Sequence, residues 1–167
     1  MNGGARAEFS DFAHSRWPRL YRLGYGLTGD RGLAEDLAQT ALANAYAAWP
    51  RVRRADDPDA YLRRILLNSY HSGFRKRRVA EQLSDAPPDS LIADPAGDHG
   101  DRAAVLAAVA ELPPKQRKVV LLRFWLDLTE VQVAAALGCS VGNVKSQTAR
   151  ALAKLKVSAE LADWGAQ

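Results

Sequence analysis

Arg64, Asn68, His71 and Arg75 follow one another at intervals of four, three and four residues, so on a helix they form one stripe that runs into Arg75-Lys76-Arg77-Arg78. Guanidiniums and amides in a row suit the tracking of a phosphate backbone and contact with base edges, and Tyr61, Tyr70 and Phe74 offer rings for stacking. A solvated basic face has the same spacing, so the stripe alone leaves both readings open. A second candidate is TEVQVAAALGCSVGNVKSQTARALAKLK, in which Thr129 and Gln132 stand at capping-box spacing, Gly138 fits a tight turn and Ser140 can cap the helix that follows. Two helices and a short turn make a helix-turn-helix pattern, with Val133, Ala134, Leu137, Val141, Val144, Thr148, Leu152 and Leu155 expected to pack together. With Val144 inward, Ser146, Ala149 and Ala153 centre the outer face, Asn143 and Arg150 flank it, and Lys145 sits at the side. Small and polar groups there suit close approach to a major groove, although an unrelated helical hairpin would share part of the pattern.

These residues must be positioned by helices, because the text is rich in Ala, Leu and Arg and its apolar positions recur at helical spacing. The expected fold is all-α: two small helical domains joined by an acidic, proline-containing linker, the second domain carrying the helix-turn-helix. The first helix is expected over Glu8–Leu27, with Phe9, Phe12, Leu20, Leu23 and Leu27 as core and Pro18 as a break or kink. Asp30 can cap a second helix through Trp49 that turns Leu33, Leu37, Ala41 and Ala48 inward and is ended by Pro50. Glu35, Gln39, Leu42 and Tyr46 fall on its opposite face, a mixture compatible with a partner interface or with packing of Leu42 and Tyr46 on the first helix. A third helix is expected from Pro58, capped by Asp57 or Asp56, to Arg78, with Leu62, Ile65, Leu66, Ser69 and Gly73 inward. Beyond the linker, Arg102–Glu111 and Lys115–Trp125 read as two more helices, separated by Leu112-Pro113-Pro114.

The charge divides in the same way. Residues 1–80 hold 14 basic and 8 acidic side chains, residues 81–111 hold 1 and 7, and residues 112–167 hold 8 and 4, within a net charge of +4. Two basic blocks around an acidic stretch suit two modules that meet a polyanion, since clustered Lys and Arg release counterions from phosphates. Glu81–Asp101 contains Pro87, Pro88 and Pro95 and little to bury, which marks it as the linker and sets domains of 1–80 and 102–167. A single cysteine, Cys139, excludes an internal disulfide and a multi-cysteine zinc site, and neither a signal peptide nor a membrane-spanning run is evident. A reduced cytoplasmic location is therefore expected, away from any membrane.

Three ordered blocks, Thr28–Leu42 (TGDRGLAEDLAQTAL), Asp57–Tyr70 (DPDAYLRRILLNSY) with its basic tail, and Leu112–Leu152, resemble the group IV, or extracytoplasmic-function (ECF), sigma factors of the sigma-70 family. The resemblance spans Phe9 to Lys156 and is strongest to the short actinobacterial type. It implies an alternative sigma factor, the non-catalytic initiation subunit that brings core RNA polymerase to promoter DNA and supports its melting, without a metal or organic cofactor. Glu35, Asp36, Gln39 and Leu42 would dock on the polymerase clamp helices. Arg51, Arg53, Arg54, Ala55 and Asp56, within the loop Arg51–Asp59, would capture a flipped base of the minus-ten element, with Arg64, Asn68, His71 and Arg75 holding the adjacent DNA. Ser140, Gly142, Asn143, Lys145, Ser146, Ala149 and Arg150 would read the minus-thirty-five element while the polymerase flap contacts the same module. The resemblance also admits an anti-sigma factor as a partner, and it implies no further regulatory domain beyond the short tail Val157–Gln167.

Two positions depart from the pattern: Thr40 stands where many relatives carry Glu, and Asn143 where Thr is frequent. An enzyme is a poor fit, because His14, His71 and His99 are scattered and no phosphate loop, dinucleotide fingerprint, HExxH or GxSxG is present. A stand-alone helix-turn-helix regulator would explain the second domain but leaves the EDLAQ block, Glu35–Gln39, without a role.

Overall fold

The computed structural model describes residues 2–82 and 99–165, with side chains placed over residues 2–73 and 104–156, and the regular structure of the described residues is helical. Helix α1, Gly3–Thr28, begins earlier than the periodicity suggests because the Asn2 side chain accepts the Ala5 N–H at 3.0 Å. It ends at Gly29, whose φ of 67° is a left-handed cap. Pro18 does not break it. The carbonyl of His14, which Pro18 leaves without a helical donor, belongs to an exposed turn where water can replace the lost bond.

Helix α2, Arg31–Ala47, is capped by Asp30, whose carboxylate accepts the Leu33 N–H at 2.9 Å. Its buried stripe differs from the expected one. Ala34, Ala38, Ala41 and Ala45 are wholly buried, whereas Leu33 and Leu37 are only half-buried and Ala48 lies at the C-cap. The reason is the approach of α1: a Cβ on Gly24 would stand 3.2 Å from the Ala34 carbonyl oxygen and 3.3 Å from its Cα. Backbones this close admit only the smallest side chains at the seam and push the leucines to its flanks.

Pro50 also acts differently from expectation. Trp49–Val52 forms a one-turn helix, α3, with Pro50 in its first turn, so the proline starts a helix instead of only ending α2. Trp49 is buried against Phe12, with ring centroids 5.1 Å apart, and meets Phe9 edge-on at 5.2 Å. Tyr46 also packs on Phe9, at 4.9 Å, which settles that aromatic of the α2 outer face in favour of packing on α1. Helix α4, Pro58–Gln82, is capped by Asp57 Oδ1, which accepts the Ala60 N–H at 3.0 Å. Leu62, Leu66 and Leu67 are buried; Ile65 and Ser69 are half-buried and Gly73 is exposed, contrary to its expected inward position. Leu67 shares the inner face because α4 packs against α1, α2 and α3 and not against a single partner.

The chain divides into two compact units, Met1–Ile92 and Ala93–Gln167. Most of the expected linker lies outside the described residues, but α4 runs to Gln82 and α5, His99–Ala110, begins within the segment assigned to it. In the second unit, Arg117 donates to the carbonyls of Ala110 and Leu112, tying the end of α5 to α6, Pro114–Val120. The expected helix to Trp125 widens at Leu121–Trp125 into a π-helical turn, with Leu126 N–H donating to the Leu121 carbonyl at 3.1 Å. Leu121 and Leu122 are both buried and Phe124 is left 50% exposed. Arg123 then donates to the Leu128 carbonyl at 3.0 Å across the turn.

Helices α7, Glu130–Leu137, and α8, Val141–Gly165, form the helix-turn-helix. Thr129 and Gln132 make both bonds of the capping box, and Gly138 takes a left-handed φ of 66°. The packed face of α8 runs through Val144, Thr148, Ala151 and Leu155; Ala151 is wholly buried and Leu152, expected inside, is 46% exposed.

Two stability consequences follow from this packing. Gly24→Leu should cost about 1–3 kcal/mol in urea unfolding, because the obstruction is Ala34 backbone and not a movable side chain. Lys118 is buried at 9% exposure, and burial, followed by the nearby Arg117 and Lys115, holds its ammonium pKa below the usual lysine value. The folded state thus disfavours its proton: the penalty is full below the folded pKa and vanishes as pH rises toward 10.5. The stability of Lys118→Met relative to wild type should therefore fall as urea unfolding is repeated from pH 7 toward pH 10.5.

Candidate nucleic-acid interface

In the first unit, α4 buries Leu62, Leu66 and Leu67 and turns Arg64, Asn68 and His71 to solvent on one side. Arg75 lies outside the residues with described side chains. Of the expected stacking rings, Phe74 lies outside them too. Tyr61 and Tyr70 are half-buried, and the Tyr70 hydroxyl donates to the Leu27 carbonyl at 3.4 Å, so that ring serves at least in part to tie α4 to α1.

The loop ahead of α4 is shorter than expected, since Arg51 and Val52 belong to α3. Arg51, Arg53, Arg54 and Asp56 are exposed and Ala55 is half-buried. Arg53 N–H donates to the Trp49 carbonyl at 2.9 Å and Ala55 N–H to the Val52 carbonyl at 3.2 Å. These turns carry the exposed arginines on a base made of buried Trp49 and Val52. Two ion pairs were not evident from spacing: Arg53 Nη1 lies 3.2 Å from Glu8 Oε2, and Arg16 Nε lies 2.8 Å from Asp59 Oδ1. Their partners are 43 and 45 residues apart, and no periodic signal connects such positions. Arg63, beside Arg64 in sequence, has its guanidinium pKa lowered by burial against the opposing effect of Asp57 and Asp59. It is half-buried on α4, outside the solvent stripe.

In the second unit, Ser140 Oγ accepts the Asn143 N–H at 3.0 Å, so its hydroxyl caps α8. Gly142, Asn143, Lys145, Ser146, Ala149 and Arg150 are all exposed, opposite buried Val144 and Ala151. Lys145 Nζ stands 3.8 Å from Glu130 Oε2 on α7. The first turns of α8 therefore offer two cations, an amide and a hydroxyl over a surface of Gly and Ala, which can come close to a phosphate backbone and to base edges.

On α2, Glu35, Asp36, Gln39 and Thr40 are exposed, and Leu42 is half-buried at the flank of the alanine seam. The acidic and amide groups thus face solvent. No described helix is long and apolar enough to cross a membrane.

Comparison with known proteins bears on this arrangement. Residues 13–79 match the family Sigma-70 region 2 and residues 102–155 match Sigma-70, region 4. The chain is 40% identical over 167 residues to the RNA polymerase sigma-E factor of Streptomyces antibioticus, covering all of this chain and 93% of that one. It is similar in structure to the sigma factor RpoE of Bartonella quintana, solved in complex with the anti-sigma factor NepR, with a TM-score of 0.75, 28% identity and coverage of 87% of this chain and 94% of that one. CnrH, solved with the cytosolic domain of CnrY, shares the fold at a TM-score of 0.68 and 23% identity, covering 93% of this chain and 90% of that one. The chain belongs to the ECF sigma factors of the sigma-70 family, and it acts as an alternative sigma factor that directs promoter recognition and the initiation of transcription.

Proposed function

We propose that the two units divide the promoter between them, with residues 1–80 opening the minus-ten element, 102–167 reading the minus-thirty-five element as duplex, and 81–101 joining them. The observation that carries this division is the exposure of a cation-and-amide row on α4 and another on α8, each opposite buried apolar side chains. Arg51, Arg53, Arg54, Ala55 and Asp56 receive the extruded base, and Arg64, Asn68, His71 and Arg75 hold the strand beside it. Extrusion costs a few kcal/mol, which the cations and the loop together offset. Ser140, through its cap, aims the start of α8 at the groove, where Gly142, Asn143, Lys145, Ser146, Ala149 and Arg150 make the contacts.

Glu35, Asp36, Gln39 and Leu42 form the docking face for the clamp helices of core RNA polymerase, and the second unit meets the flap. The protein contributes binding and positioning, while the polymerase performs nucleotide addition, so it is a non-catalytic subunit. It works in the cytoplasm, and the solved relative held by the anti-sigma factor NepR supports a similar partner here.

Reconstitution with core polymerase tests these assignments. Asp36→Arg with Gln39→Ala should weaken core assembly about tenfold or more in a pull-down while leaving the far-ultraviolet circular dichroism unchanged, since both side chains are exposed. Unchanged core binding would remove the docking face. Lys145→Ala with Arg150→Ala should weaken holoenzyme binding to the upstream duplex and lower the salt slope of log affinity by about 2, as expected for two lost phosphate contacts. An unaltered slope would place both cations away from the backbone. Substitution of Ala55 and Asp56 should reduce permanganate reactivity at the minus-ten element more than core association; equal loss of both would end the separation of melting from docking.

A further inference from the structure

Both ends of the promoter-opening loop are tied to one helix. At its start, Arg53 Nη1 meets Glu8 Oε2 at 3.2 Å; at its end, Arg16 Nε donates to Asp59 Oδ1 at 2.8 Å while Arg16 Nη2 reaches Asp59 Oδ2 at 3.5 Å. Glu8 and Arg16 both belong to α1 and stand eight residues apart, which is about 12 Å along a helix axis. That stretch of α1 is fixed laterally, because Phe9 and Phe12 lie between the two anchors and pack on Trp49 at the base of the loop. Both contacts of the loop with α1 are thus made to one packed stretch of helix.

The two ties differ in kind. Arg16 makes a two-point contact with a carboxylate, its guanidinium lies 4.6 Å from the centre of the Phe12 ring, and its Nη1 donates to Ser15 Oγ at 2.7 Å. Asp59 is in the first turn of α4, so this contact fixes where α4 starts. A planar fork held on a ring face keeps its orientation. Arg53 and Glu8 are more exposed and meet at one point, a geometry that contributes little and exchanges readily for another anion.

We infer that α1 is a positioning element for promoter opening: Arg16 and Asp59 form the fixed anchor of the loop, and Glu8 and Arg53 form a releasable latch that yields Arg53 to the DNA phosphate. The inference rests on the minus-ten role proposed above for the loop. Arg16 acts through the loop and touches no DNA. Its contribution is to hold the loop in the geometry that receives the base, which lowers the ordering required during opening. Glu8 occupies Arg53 until a phosphate displaces it.

The test uses holoenzyme reconstituted from the full chain and core polymerase on a promoter fragment, with closed-complex affinity and the rate of opening measured separately. Arg16→Gln should slow opening about tenfold while core affinity and closed-complex affinity stay within about twofold. Arg16→Lys, which restores the charge and one contact, should recover the rate to within about threefold of wild type. Glu8→Gln should change the opening rate by less than about twofold, since the latch opens in any case. The anchor is overturned if Arg16→Gln opens promoters at the wild-type rate, or if its loss of rate is matched by loss of core affinity and thermal stability. Equal slowing by Glu8→Gln and Arg16→Gln would overturn the latch. Failure of the underlying minus-ten role looks different: substitution of Ala55 and Asp56 would then leave opening intact, whereas an effect there beside an inert Arg16→Gln rejects only the positioning role.

Discussion

The backbones of α1 and α2 approach until a single methyl group at Gly24 would press on Ala34, and much of the first unit follows from that distance. The seam must be filled by alanine, so Ala34, Ala38, Ala41 and Ala45 are wholly buried. Close packing with so little side chain lets a small unit exclude water over several turns. It also leaves one side of α2 open to solvent. Glu35, Asp36 and Gln39 can then face solvent without cost to the core, and a surface for a partner is available on a helix already held rigid from behind. Small residues are buried in the second unit too, where Ala134 of α7 and Ala151 of α8 lie in the core and the cations of α8 face outward.

Rigid presentation matters because the work of this protein is recognition. A base taken out of a duplex must find its contacts already arranged, or the ordering of the loop is added to the energy of extrusion. The aromatic group of Phe9, Phe12, Tyr46 and Trp49 supplies a stiff floor beneath the loop, and Asp57 and Asp59 fix the point at which helix resumes. In the second unit, Thr129 with Gln132, Gly138 and Ser140 define the turn by local hydrogen bonding and by one left-handed glycine. Each device is worth about 1 kcal/mol or less by itself. Their combined effect is directional: they decide which way a short row of side chains points.

The elements themselves were legible in the sequence because their signals are local. Asp30, Asp57, Thr129, Gln132, Gly138 and Ser140 act within four residues of their partners, so caps and turns could be placed from spacing, and the exposure of Arg64, Asn68, Asn143, Lys145 and Arg150 followed from helical projection. The core was less so. Leucines at 33, 37 and 152 look like core by hydropathy, but hydropathy does not record how near two backbones come, and the contact surfaces went to alanine. Pro18 breaks no helix and Pro50 opens α3 as well as following α2, because what a proline does depends on whether solvent or a neighbour satisfies the freed carbonyl and on which turn it occupies.

What the sequence by itself determined, then, was the helical content, the capped turns, the amphipathic faces and the family to which three ordered blocks point, all of them properties of residues within a few turns of one another. Only the tertiary structure decided which small residues meet, that a π-helical turn carries both Leu121 and Leu122 into the core, and that α1 reaches across some forty residues of chain to Arg53 and Asp59. Ion pairs between distant positions leave no period in the sequence, because their geometry exists only after α1, α2, α3 and α4 have packed, and it is that packing which brings Glu8 to Arg53 and Arg16 to Asp59.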